Sequence, residues 1–168
     1  MTHKLKIILI SGAGALLILS LALWFLILQP NQQKEAKQAE ELLALGIKLF
    51  NEKKFNETLD TLARIPSGTA EEAKVRYYQG STFMMLKDYE STVEYLGQAH
   101  RLNSQDTKIL YALGIAYYKL GKLKLAKGYF ASVLEINPQD EQARGLYDIM
   151  AKLERNSAAK PESEPNNN

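Results

Sequence analysis

The residue types that ordinarily carry catalysis are sparse in this chain and poorly spaced for it. His3 and His100 are its two histidines, there is no cysteine, and neither imidazole has a second ligand at the spacing that a metal site or proton relay needs. Without cysteine there are no disulfides and no thiolate metal sites, although this does not choose a compartment. Glu40–Glu41 and Glu71–Glu72 are paired carboxylates, but both fall at predicted helix starts, where they answer the positive end of the helix dipole. No phosphate-binding loop, nucleophile elbow or zinc-protease helix occurs. These residues predict a protein that is not an enzyme, with no cofactor and no metal.

Charge excludes a second class. The formal net charge is +2, from 21 basic and 19 acidic residues, and Lys4 and Lys6 account for all of it. The remainder is neutral, which does not suit nucleic acid, a partner that demands a basic face. Lys119, Lys122, Lys124 and Lys127 form one local basic cluster. A solvated turn and helix face explains it; contact with lipid headgroups or an acidic partner is the alternative.

What remains is recognition, and the elements that would present it are legible. From Ile7 to Leu28 the chain runs 22 residues without a charge, and a helix of that length, at ~1.5 Å per residue, covers the ~30 Å hydrocarbon layer of a bilayer. The run is too long for a cleaved signal peptide and ends Trp24-Phe25-Leu26-Ile27-Leu28-Gln29-Pro30 without a peptidase site, so it predicts a signal-anchor with Trp24 and Phe25 at the headgroup level. Residues 1–6 form a short basic head that favours the cytoplasm and sends the following domain across the membrane. Residues 29–38 are a linker and helix start.

Beyond it, Gly46, Gly80 and Gly114 recur at one constant interval, each followed three positions later by Leu49, Phe83 or Tyr117. That interval, about 34 residues, is the length of a two-helix repeat. Glycine within a helix costs about 1 kcal/mol relative to alanine, so three in phase predict close helix contacts. Turns at Lys53-Lys54, Lys87-Asp88 and Gly121-Lys122 split each repeat; Pro66-Ser67-Gly68 and Asn137-Pro138 end helices. Thr69-Ala70-Glu71-Glu72 has the form of a capping box.

Leu110, Leu113-Gly114, Tyr117, Ala126, Phe130 and Pro138 together resemble the signature of a tetratricopeptide repeat (TPR), the membrane-anchored bacterial type being the nearest in organisation. The middle repeat keeps Gly80, Phe83 and Ala99 but has Thr92, Leu96 and Ser104 where alanine, phenylalanine and proline are usual. The first keeps Leu42, Leu45, Gly46 and Leu62, has Thr58 for the small residue, and stops early at Pro66. The resemblance implies an all-α fold: a single transmembrane helix at 7–28, then a right-handed α-solenoid of three helix pairs over 39–140 (39–68, 73–106 and 107–140). A capping helix follows at 141–155 and a disordered tail at 156–168.

It also implies a concave groove lined by Leu43, Ile47, Phe50, Tyr77, Ser81, Met84, Met85, Tyr111, Ile115 and Tyr118, an apolar and aromatic set fit for an amphipathic segment of a protein or peptide partner. Packing against terminal helices or a second copy is the alternative use of the same residues. Some TPR proteins clamp the carboxylate of a chaperone tail with lysine and asparagine; at the corresponding places stand Leu43, Ile47, Tyr78 and Ala112, with Lys108 the one basic match. The implied function is an adaptor or assembly factor for an envelope complex, in a bacterial inner membrane with the repeats in the periplasm. A self-associating, homo-oligomeric scaffold and a cytosol-facing organelle receptor are the rival readings.

Overall fold

The computed structural model describes residues 19–20, 23–24 and 32–158. They fall into two compact units, Met1–Glu41 and Leu42–Asn168. In the first, Leu19, Ser20, Leu23, Trp24 and residues 32–41 are helical. The predicted head at 1–6 and most of the predicted span at 7–28 lie outside the described residues. Among those described, no helix is long and apolar enough to cross a membrane.

Among the described residues the second unit's regular structure is all helical: α1 (42–51), α2 (Phe55–Ala63), α3 (Glu72–Met85), α4 (Tyr89–Leu102), α5 (Thr107–Lys119), α6 (Leu123–Ile136) and α7 (Glu141–Ala158). From α2 onward each helix packs on the next, and α3 also reaches α5, as in a stacked array whose alternate helices share one side. The three repeat-phase glycines are where the paired helices meet. A Cβ on Gly46 would fall 2.5 Å from Leu62 Cδ2, one on Gly80 2.7 Å from Leu96 Cγ, and one on Gly114 2.7 Å from Phe130 Cε1. The side chain received stands at the same offset on the second helix of each pair and is at most 1% exposed. Burying each contributes on the order of 2 kcal/mol, which outweighs the helix-propensity cost of the glycine.

A second phase follows the same period. Thr58, Thr92 and Ala126 are all fully buried, and the threonine hydroxyls donate to the carbonyls one turn back, Lys54 O at 2.9 Å and Asp88 O at 2.6 Å. Threonine thus serves where alanine is usual, because its own helix satisfies the hydroxyl. The third phase is conformational. Lys53, Lys87 and Gly121 turn the chain between paired helices at φ 61°, 64° and 73°. In each turn the amide of that residue bonds the carbonyl three back and the next amide the carbonyl five back, as from Lys87 to Met84 and from Asp88 to Phe83, both at 3.0 Å.

Helix starts depart from expectation in two places, the first being Glu40 and Glu41, which lie within a helical run that is already under way at residue 32. Asp88, Asp106 and Asp140 accept amide bonds from Ser91, Lys108 and Ala143, but the predicted capping box before α3 does not form. Glu71 precedes that helix with no side-chain cap, the buried Thr69 hydroxyl has no partner, and Glu72 reaches instead to the Gly68 amide at 2.7 Å. The helix begins at Glu72, so Glu71 and not Thr69 stands at the N-cap.

The capping helix, predicted to end at 155, runs three residues further, into the predicted tail. α7 continues to Ala158, where Ser157 donates to the Glu154 carbonyl and extends the last turn, while 159–168 lie outside the described residues. α7 begins as a further first helix would, Asp140 standing one repeat length after Asp106. Asp148, however, occupies the glycine phase and is exposed.

Candidate partner-binding surface

The residues assigned to a groove lie on the first helices of the three pairs, α1, α3 and α5, and the structure gives them unequal exposure. Leu43, at 4% exposure, is a core residue and not a groove wall. Tyr77 and Met84 pack on the buried cluster of Leu96, Ala99, Ile109 and Leu113, so each presents one side inward. Tyr111 and Ile115 likewise pack on Ala126, Phe130 and Met150. Here α7 covers what was assigned to a client, because the side of α5 next to α7 cannot also be open. Phe50 meets Tyr78 edge-on at 5.6 Å between ring centroids. Ile47 and Ser81 are half-buried.

Met85 and Tyr118 are left as the freely presented members, 52% and 41% exposed. Tyr118 stands one repeat length after Met84 rather than Met85, so the repeats do not present an identical row.

Two hydroxyls define the polar chemistry. Tyr111 donates to Asp140 Oδ1, which also accepts the Ala143 amide at 2.9 Å, so one carboxylate both starts α7 and ties it to α5. Burial first, and the bond to Asp140 second, push the Tyr111 hydroxyl up to about 12; the same bond is the leading cause that lowers Asp140 below the usual carboxylate value. Tyr77 is raised chiefly by burial, with a hydrogen bond to Ser81 opposing. The Tyr111–Asp140 bond holds α7 against α5. Among the described residues no group of three histidine or carboxylate side chains could hold a metal ion.

Sequence reasoning missed Asp140 as the partner of Tyr111. A signal exists, since an aspartate just before Glu141-Gln142-Ala143 marks a helix start. Its second contact, 29 residues back along the chain, has no local signature. The middle pair also buries Gln79, which accepts from Arg76 at 3.2 Å, where the third pair has Leu113 and Leu110.

Residues 83–153 match the tetratricopeptide repeat family model. A TPR repeat-containing protein of the archaeon Methanocaldococcus jannaschii is 33% identical over 85 residues, 46% of this chain but 15% of that protein's length. The second TPR domain of human RPAP3, solved in complex with the HSP70 peptide SGPTIEEVD, superposes with a TM-score of 0.61 at 23% identity over 71% of this chain and 97% of that one. The Hsp90 co-chaperone Cns1 of Saccharomyces cerevisiae gives 0.67 at 18% identity, over 74% of this chain and 42% of the other. At such identities these likenesses carry the fold alone. The in-phase glycines and their buried partners, with the shared architecture, give the second unit a fold like that of a tetratricopeptide-repeat solenoid, and residues 83–153 match that family's model.

Proposed function

We propose that this chain is a membrane-anchored TPR interaction module, an adaptor or assembly factor for an envelope complex, which holds an apolar segment of a protein partner against its first helices. The observation that carries this reading is the pairing of exposed Met85 and Tyr118 with the half-buried Phe50, Ile47 and Met84 on one set of helices, in a domain whose polar groups serve its own packing. Methionine adapts to a partner's shape, and tyrosine supplies area with a polar tip. An acidic tail peptide of the kind bound to human RPAP3 suits the surface less, because Lys108 is the one basic side chain at the corresponding places.

The anchor is proposed from the charge-free run at 7–28, and it is supported by Leu19, Leu23 and Trp24, which are 65%, 62% and 64% exposed. Such side chains need an apolar environment. With the basic head held in the cytoplasm, the repeats lie in the periplasm of a bacterial inner membrane.

Photocrosslinking from Met85 and Tyr118 in intact cells tests the client-binding reading, with Ile136, which is 44% exposed on α6, as the control position. Adducts to one heterologous protein from the first two positions alone support it. Adducts to a second copy of the chain give the scaffold reading instead, and equal labelling from Ile136 removes the groove.

A further inference from the structure

From the start of α5 to the last turn of α6 the chain carries no carboxylate. Between Asp106 and Glu135 it has five lysines and no aspartate or glutamate. Four of them, Lys119, Lys122, Lys124 and Lys127, crowd the turn that joins the two helices. Among the described residues Lys127 alone of these is in an ion pair, with Glu154 of α7. That pair fixes the end of α7 beside the start of α6 and brings the exposed Lys152 and Arg155 to the same end of the domain. Lys119 and Lys122 each lie over a tyrosine ring, 5.9 Å from the centroids of Tyr118 and Tyr117, which positions the ammonium heads without neutralising them. The corresponding turns are balanced: Lys54 pairs with Glu52 at 2.9 Å, and Lys87 adjoins Asp88 and Glu90.

An apolar side chain stands outward among these charges, Leu125 at 49% exposure. We propose that the α5–α6 turn, through Lys119, Lys122 and Lys124 with Leu125, docks on an anionic lipid surface. Lysines are point charges on long stems that meet a diffuse layer of headgroups well, whereas a specific carboxylate or phosphate in a peptide favours the fork of arginine. A leucine between the lysines matches the boundary of headgroup and acyl chain. The inference rests on the membrane-anchored reading, since a span in the same chain keeps the bilayer within reach of the domain.

The absence of cysteine allows one thiol to be placed at will. The full chain carrying Leu125→Cys, labelled with an environment-sensitive fluorophore, is reconstituted into vesicles of phosphatidylcholine alone or mixed with phosphatidylglycerol. A blue shift and shielding from an aqueous quencher are expected in the anionic vesicles only, lost in high salt. Each of Lys119→Ser, Lys122→Ser and Lys124→Ser should lower the docked-to-free ratio about fivefold. Equal emission in the two vesicle types, or a shift that survives the triple serine substitution, overturns the proposal. So does a shift produced in neutral vesicles by added poly-glutamate, which would make the partner an acidic protein. Alkaline extraction separates the two readings: if carbonate strips the chain, the anchor fails, and docking is then decided by whether the unanchored chain sediments with anionic but not neutral vesicles.

Discussion

Alanine in place of Gly114 and of Gly128 makes the same chemical change in adjacent helices and should have opposite effects. Both glycines are helical, so each substitution gains about 1 kcal/mol of helix propensity. At Gly128 a new Cβ meets nothing within 4 Å, and the gain is kept. At Gly114 the Cβ lies 2.7 and 2.8 Å from Phe130 Cε1 and Cζ. That ring is 1% exposed and packed with Ala126 and Met150, so it cannot swing aside. Overpacking of this kind costs about 1 to 3 kcal/mol, leaving a net loss of up to roughly 2 kcal/mol. The two variants should differ by about 1 to 3 kcal/mol, several degrees or more in melting temperature for a domain of this size. Urea and thermal unfolding of the full chain, followed by circular dichroism, measures the difference, with Gly145→Ala, also open, as a second control. Equal shifts at Gly114 and Gly128 would refute the claim that glycine is present for helix approach.

Lys87→Gly should stabilise by about 1 kcal/mol in the same urea titration, because a lysine at φ 64° carries left-handed strain that Gly121 avoids in the next repeat; Gly121→Lys should do the reverse. Tyr111 is held protonated with its value pushed up to about 12, so its stabilisation is complete below pH 10 and lost as pH rises towards 12; Tyr111→Phe should flatten that part of the stability curve. Asp140, lowered in the folded state, acts in the opposite direction, its contribution disappearing as pH falls through and below about 4, the ordinary carboxylate range, and Asp140→Ala should weaken that acid dependence. Protease added after permeabilising only the outer envelope should digest residues beyond 31, whereas protection until the inner membrane is lysed would reverse the proposed topology.

The repeat frame was legible because its causes are local and periodic. Gly46, Gly80 and Gly114 declare close contacts by being out of place in helices, and the turns at 53, 87 and 121 recur at the same interval. What escaped were choices made by distant neighbours. Whether Leu43 faces a client or the core, and whether Tyr111 is open or covered, depends on packing around the first helix of each pair, and in the case of Tyr111 on α7 lying against it. The capping box failed as well: Thr69 and Glu72 have the right spacing, but the helix begins at Glu72 with Glu71 at the N-cap, and Glu72 serves Gly68. Thr58 and Thr92 looked like departures from a small-residue rule, although each closes its own hydrogen bond and packs as a small apolar group.

Asp148 sets a limit on growth. A repeat array is open-ended, and its last helix offers the next unit the same kind of seat that each earlier helix offered its successor. Where Gly46, Gly80 and Gly114 each admit a buried leucine or phenylalanine, α7 presents a carboxylate, one turn before Lys152. A copy of the domain stacking end-on there would have to strip water from that charge without a partner built to receive it, at a cost of several kcal/mol. End-on stacking against α7 would therefore have to bury a charge where each earlier pair buries a leucine or phenylalanine.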